Sequence, residues 1–163
     1  MRKYDKRDQL VLAACAADWA ERALPLFEAA YPADDRPRAA IRACRKWARI
    51  GAFRMVEIRG ASLAAHAAAR EAKAQDAACF AARAAGQAVA TAHVPQHAFG
   101  AAYYALKAVA ASSRENAEAR TTKERDWQSP RLPEKLRKEY LKRIGVEKKG
   151  ERLIVRLEKG KDF

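Results

Sequence analysis

The sequence predicts an all-α fold: a compact bundle of five to seven helices, with a small C-terminal β-hairpin as an option. Three observations predict it. About a quarter of the 163 residues are alanine, gathered in long runs, and alanine loses no side-chain entropy on entering a helix. Apolar residues recur at helical spacing through most of the first 111 positions. Proline, glycine and aspartate punctuate those runs where helices start and stop. The length suits one cooperative core. We divide it into an alanine-rich helical body over 1–111, a polar segment with a docking helix over 112–144, and a basic extension over 145–163. Since many of the apolar groups are single methyls, the helices must approach closely to bury useful area.

A first helix starts near Asp5 or Asp8, either able to cap free amides, and runs to about Glu28. Trp19, Ala23, Leu26, Phe27 and Ala30 form its apolar arc; Val11, Cys15, Asp18 and Arg22 form a second, in which a carboxylate and a guanidinium lie four residues apart. Pro25 removes one backbone donor and predicts a bend near Glu21. Asp34 or Asp35 caps a second helix, Pro37 fits its first turn, and Gly51 stops it. Ile41, Cys44, Trp47 and Ala48 supply its buried face. The third helix spans about Met55 to Lys73 and carries Leu63, His66, Ala67 and Arg70 on one strip. Asp76 caps a fourth reaching His93, with Cys79, Arg83, Gly86, Ala90 and His93 on one broad face. Gly86 lowers helix propensity by roughly 1 kcal/mol relative to alanine, so a close helix crossing is expected there.

Pro95 breaks the chain before a fifth helix that ends near Ala111, with one kinked helix through Pro95 as the alternative. It carries Phe99, Tyr103, Leu106 and Ala110 on one side and His97, Tyr104 and Ala108 on another, as a central element would. The polar stretch through Ser129 reads as a continuation of helix five, an arm or a linker, anchored only by Trp127. Pro133 and Glu134 open a last helix that docks Leu136, Tyr140 and Ile144. Leu153, Val155 and Leu157 then alternate with Ile154 and Arg156, and with Val146 and the Lys149-Gly150 turn they predict a hairpin that must lean on the helical body or a partner.

The formal charge is +13, concentrated in residues 32–60 and 112–163. Such patches speed encounters with acidic proteins, nucleic acids or anionic membranes without choosing among them. Arg38, Arg42, Arg45 and Arg49 on the second helix are the surface-contact candidates. No apolar stretch has the length of a membrane span, and the N-terminus has no signal-type run; the expectation is a cytoplasmic protein that neither crosses nor binds a membrane. Cys15, Cys44 and Cys79 have no metal-pair spacing and are expected as buried thiols.

Asp18, Glu21, Arg22, His66, Arg70, Glu71, Arg83, His93, His97 and Tyr104 are the candidates for a binding site or a buried polar network. A histidine on an apolar helix face is more often a satisfied interior group than a catalyst. Asp18 with Arg22, and Arg70 with Glu71, could each belong to hydrogen-bonded networks that select one helix arrangement. His66, His93 and His97 are the only metal-ligand candidates, and the absence of a His-Glu-x-x-His motif or a second soft pair argues against a metal. No motif calls for a cofactor, a phosphate loop or a nucleophile, so no catalytic residue is assigned.

The sequence resembles the Imm-5-like family of immunity proteins from bacterial polymorphic toxin systems. The resemblance rests on Ala20-Glu21-Arg22-Ala23-Leu24-Pro25-Leu26-Phe27-Glu28, on Tyr31-Pro32 with Asp35-Arg36-Pro37-Arg38, and on Ala65-His66-Ala67-Ala68-Ala69-Arg70-Glu71-Ala72. It continues through Ala81-Ala82-Arg83-Ala84-Ala85-Gly86, Ala90-Thr91-Ala92-His93-Val94 and His97-Ala98-Phe99-Gly100-Ala101-Ala102. Trp127-Gln128, Leu132-Pro133 and Leu136-Arg137 look like the family's distal segment. Gln87 stands where many relatives would carry histidine, and 145–163 matches no family feature. The resemblance implies a helical protein that neutralises a partner toxin by stoichiometric binding. Two other readings stand beside it: nucleic-acid binding through the basic helix 36–50 and the C-terminal tail, and a histidine-centred small-molecule or metal-dependent enzyme. A homodimer is an open option.

Overall fold

Asp5 and Asp8 open the first helix reciprocally. The Asp8 amide donates to the Asp5 carboxylate at 2.7 Å and the Asp5 amide to that of Asp8 at 3.2 Å, so two amides that the helix leaves free are satisfied. The computed structural model describes residues 3–52 and 54–161; Met1 and Arg2, read with the N-terminus, and the final Asp162 and Phe163 of the basic extension lie outside the described residues, as does Phe53. Helix α1 is Lys6–Glu28 and retains Pro25 inside it. Helix α2 is Arg36–Ile50, with Pro37 in its first turn. Its N-cap residue is Asp35, which makes no side-chain capping bond; the Asp34 carboxylate, one residue earlier, accepts from the Arg36 amide at 3.1 Å. Gly51 closes it at φ 75°, a backbone conformation that side chains other than glycine's resist.

Three helices follow: α3, Met55–Glu71; α4, Asp76–Ala90; and α5, His97–Ser112. Asp76 is the first residue of α4 and not its cap; the N-cap is Gln75, which makes no side-chain capping bond. The segment 91–96 is a true break, which rules out one kinked helix through Pro95. The carbonyls left free beyond α4 are met by Gln9 of α1, whose side-chain amide donates to Thr91 and Ala92 at 2.9 and 3.0 Å. Helix α4 packs against α1, α2, α3 and α5, and its buried residues are nearly all alanine, with Cys79, Gly86 and Val89. Small side chains let four neighbours crowd one helix. The bulk comes from the surrounding elements: Trp19, Phe27, Trp47, Phe99, Leu12 and Leu106 are fully buried.

The polar stretch after Ser113 is neither a continuation of α5 nor an arm. Asn116, at φ 56°, turns the chain, and α6, Ala117–Gln128, packs back on α5. A single 3-10 turn, Ser129–Arg131, leads to α7, Glu134–Arg143, which buries Leu136 and Tyr140. The hairpin forms as predicted, β1 being Ile144–Lys149 and β2 Arg152–Leu157. Val146 pairs with Val155 and Ile144 with Leu157. All four side chains pack on the helical core, chiefly through the contact of β2 with α5.

Candidate functional site

Two glycines of the alanine-rich helices make room for two polar side chains. A Cβ at Gly86 of α4 would stand 2.7 Å from Nε2 of His66, and one at Gly100 of α5 would stand 2.7 Å from the Gln87 amide oxygen. The close crossing expected at Gly86 is therefore filled by an imidazole from α3. Ser62, one turn before His66, donates to the Gly86 carbonyl at 3.0 Å and ties the two helices. Gln87 accepts from Nδ1 of His97 at 2.7 Å; an amide oxygen can only accept, so Nδ1 carries the proton and Nε2 remains available.

These groups open onto a cavity of about 480 Å³ between α3, α4 and the start of α5, walled by Met55, Ile58, Leu63 and Ala90 and bearing Arg59, Gln87 and all three histidines, His66, His93 and His97. Every histidine of the chain thus faces one pocket, not a sealed core. His66 and His97 are half-buried and His93 is exposed. Burial, then the positive charges of Arg83 and Arg70 and the nearby His97, holds the His66 pKa below its ordinary value. Burial and His93 do the same for His97. Among the described residues no carboxylate or thiol lines the cavity. Among the described residues no three histidine, cysteine, aspartate or glutamate side chains are placed to hold a metal ion.

The remaining candidates sit elsewhere, and the expected interior network does not form. Asp18 and Arg22 do not pair. Asp18 accepts from Arg45 of α2 at 2.7 Å, together with Glu21 at 2.5 Å, whereas Arg22 forks onto Glu124 of α6 at 2.8 to 3.1 Å. Glu71 leaves Arg70 for Arg36, at 2.6 Å. Arg83 has no carboxylate partner among the described residues; it is half-buried, over the ring of Tyr104 at 5.8 Å. Four residues apart on one helix is a permissive spacing, and partners on neighbouring helices won these contacts.

The surface arginines of α2 are largely held by their own chain. Arg38 forks onto Glu28 at 2.6 and 2.8 Å, Arg45 bridges Asp18 and Glu21, and Arg42 lies 3.5 Å from Asp35. Arg49 alone of the four has no carboxylate partner among the described residues. A larger depression of about 810 Å³ lies between α6 and the hairpin. Its cations, Arg114, Lys123 and Lys148, are matched in number by Glu118, Asp126 and Glu151, so it presents no net charge.

A family model described as Imm-5 like putative immunity protein matches residues 2–135. The chain belongs to this family. The Imm-5-like match takes in α1 to α6 and the whole histidine pocket, and it stops as α7 begins. Most of α7 and the hairpin lie beyond it. No curated protein and no solved structure gives a significant match to the chain. Sequence reasoning missed Met55, Ile58, Arg59 and Ser62 as pocket residues, and missed Glu124, Gln128 and Arg143 as buried polar groups. Only the spacing of Met55, Arg59, Ser62 and His66 along one helical face could have signalled the former.

Proposed function

We propose that the chain is an immunity protein that binds a cognate bacterial toxin and neutralises it stoichiometrically, through the face around the histidine pocket. One observation carries the choice of face. Among the described residues the large exposed hydrophobics are Ile50 at 57%, Met55 at 46%, Val56 at 69%, Leu63 at 57% and Leu141 at 46%. Four of these five fall between the end of α2 and the middle of α3. Met55 and Leu63 form the pocket's own wall. A clustered apolar surface with a recess beside it is what a protein partner uses for central contact energy, with charged rims adding mainly rate and specificity. The self-paired arginines of α2 are poor candidates for that central role, and they likewise weaken the case for nucleic-acid binding through 36–50.

The pocket supports binding better than catalysis, since among the described residues no thiol or carboxylate lines it and its one hydroxyl, Ser62, is engaged by the Gly86 carbonyl. Co-expression with toxic gene products encoded beside the chain tests the reading. The chain should suppress one of them and co-purify with it. The double substitution Val56→Asp with Leu63→Asp should abolish both effects at nearly unchanged thermal stability, because neither side chain is buried. Failure to bind or suppress any neighbouring toxic product overturns the proposal.

A further inference from the structure

The histidine pocket has one charge character. Its titratable groups are Arg59 on α3, His66 on α3, His93 in the connection after α4, and His97 on α5. Arg59 is exposed and has no carboxylate partner among the described residues. The nearest acidic residue in sequence, Glu57, lies 3.6 Å from Arg54 instead. Below the mouth, His66 feels Arg83 of α4 and Arg70 of its own helix, both basic. Arg59, His66 and Ser62 recur on one face of α3, with Met55 one turn before and Leu63 at the rim.

Resting on the immunity reading above, we infer that the pocket receives an acidic side chain from an inserted segment of the toxin, its carboxylate held by Arg59 and the imidazoles while an adjoining bulky apolar residue lies against Met55 and Leu63. Two features favour a protein segment over a free small carboxylate. The cavity of about 480 Å³ exceeds the volume of one side chain, and the exposed Val56, next to Met55 on α3 and outside the pocket lining, would be left uncovered by a small molecule. The charge asymmetry does the rest: four cationic or protonatable groups and no carboxylate favour an anionic occupant.

The geometry sets a sign that can be read. Among the described residues the charged or titratable groups that act on His66 and His97 are basic: Arg83, Arg70 and His97 on His66, and His93 on His97. Both imidazoles are therefore held neutral near neutral pH. An entering carboxylate stabilises their protonated forms, so binding takes up protons and tightens as pH falls from about 8 to 6. An occupant that donates a hydrogen bond to the free Nε2 of His97, such as a tyrosine hydroxyl, would bind a neutral imidazole and weaken over the same interval.

Three histidines in the chain, all in this pocket, make their ring resonances a background-free probe. The terminally blocked tripeptide Asp-Trp-Glu, titrated into the full chain, should shift the His66 and His97 ring signals saturably. It should bind at least about fivefold more tightly than the neutral counterpart Asn-Trp-Gln, with affinity rising toward pH 6. Arg59→Gln should remove most of that preference without lowering the melting temperature. Equal affinity for the two peptides, histidine signals that do not respond, or affinity that rises with pH would each overturn the inference. This readout contains no toxin, so its failure leaves the co-expression result standing, while loss of protection with intact peptide binding would count against the immunity reading alone.

Discussion

Each ion pair here matters according to how far its carboxylate has left water. Glu124 is only 8% exposed in its side chain and takes a two-pronged grip from Arg22, whose guanidinium also stacks on Trp127 at 3.9 Å. Trp127 in turn lies beneath Arg131, at 3.6 Å. Removing Arg22 leaves a nearly buried carboxylate uncompensated and strips one face of the indole. Because Arg22 itself is 44% exposed, the full penalty for a broken interior pair is discounted, and Arg22→Ala should cost about 2 kcal/mol. Arg83→Ala, with only a long contact to Tyr104 to lose, should cost less than about 0.5 kcal/mol. Urea unfolding of the two variants decides this, and similar midpoints would refute the ranking. The sequence spacing suggested Asp18 as the partner of Arg22, whereas Glu124 lies 102 positions away on a segment with no apolar pattern to suggest a packed helix. The three thiols are free and buried as expected. The Cys44 sulfur lies 3.1 Å from the Ala88 carbonyl and 3.4 Å from that of Ala13, either of which can accept its one proton, and burial pushes its pKa up to about 12.

Among the elements, the hairpin and α6 show opposite degrees of legibility. The hairpin was readable because a strand alternates with period two, so Val146, Val155 and Leu157 had to share one face whatever they touched. What they touch is α5 and its neighbours, and the closing end is held by Arg143, which donates to the Glu158 carbonyl at 3.2 Å and to Glu139 at 2.5 Å. The pairing gives a contrast between adjacent residues: Val155 faces the core, while Ile154, opposite Glu147, points away. Val155→Asp should lower stability by about 1.5–3 kcal/mol, and Ile154→Asp by less than about 1 kcal/mol. Equal losses in thermal unfolding would mean that the register is wrong. Helix α6 was illegible for the converse reason. It buries Thr121, Glu124 and Gln128, and the last two face inward because Arg22 meets Glu124 and Tyr140 bonds Gln128 at 2.8 Å.

For the whole molecule, stability should depend on pH in two stages. His66 and His97 have folded pKa values below the ordinary 6.5, so between the two values the unfolded chain binds more protons and folding weakens as pH falls from about 7. Asp8, Glu28, Asp34, Glu71 and Glu139 have lowered values. Their contribution is present above the usual carboxylate range and is lost as pH falls through it, a small effect for the exposed pairs. Replacing both His66 and His97 by glutamine should flatten the melting temperature between pH 7.5 and 5.5 and leave the fall at lower pH intact; an unchanged profile would show that the imidazoles titrate alike in both states. The first five helices and the last, the hairpin and the buried thiols were determined by the sequence itself, because periodicity, caps and turns act within a few residues. So was the list of three histidines. That they open onto one recess, that Gly86 and Gly100 are the spaces into which His66 and Gln87 fit, and that Arg38 and Arg45 of α2 are taken up by α1 were decided only by the tertiary structure. Alanine helices have almost the same shape on every side, so their side chains permit many crossings, and which polar groups meet depends on the one packing that the whole core selects.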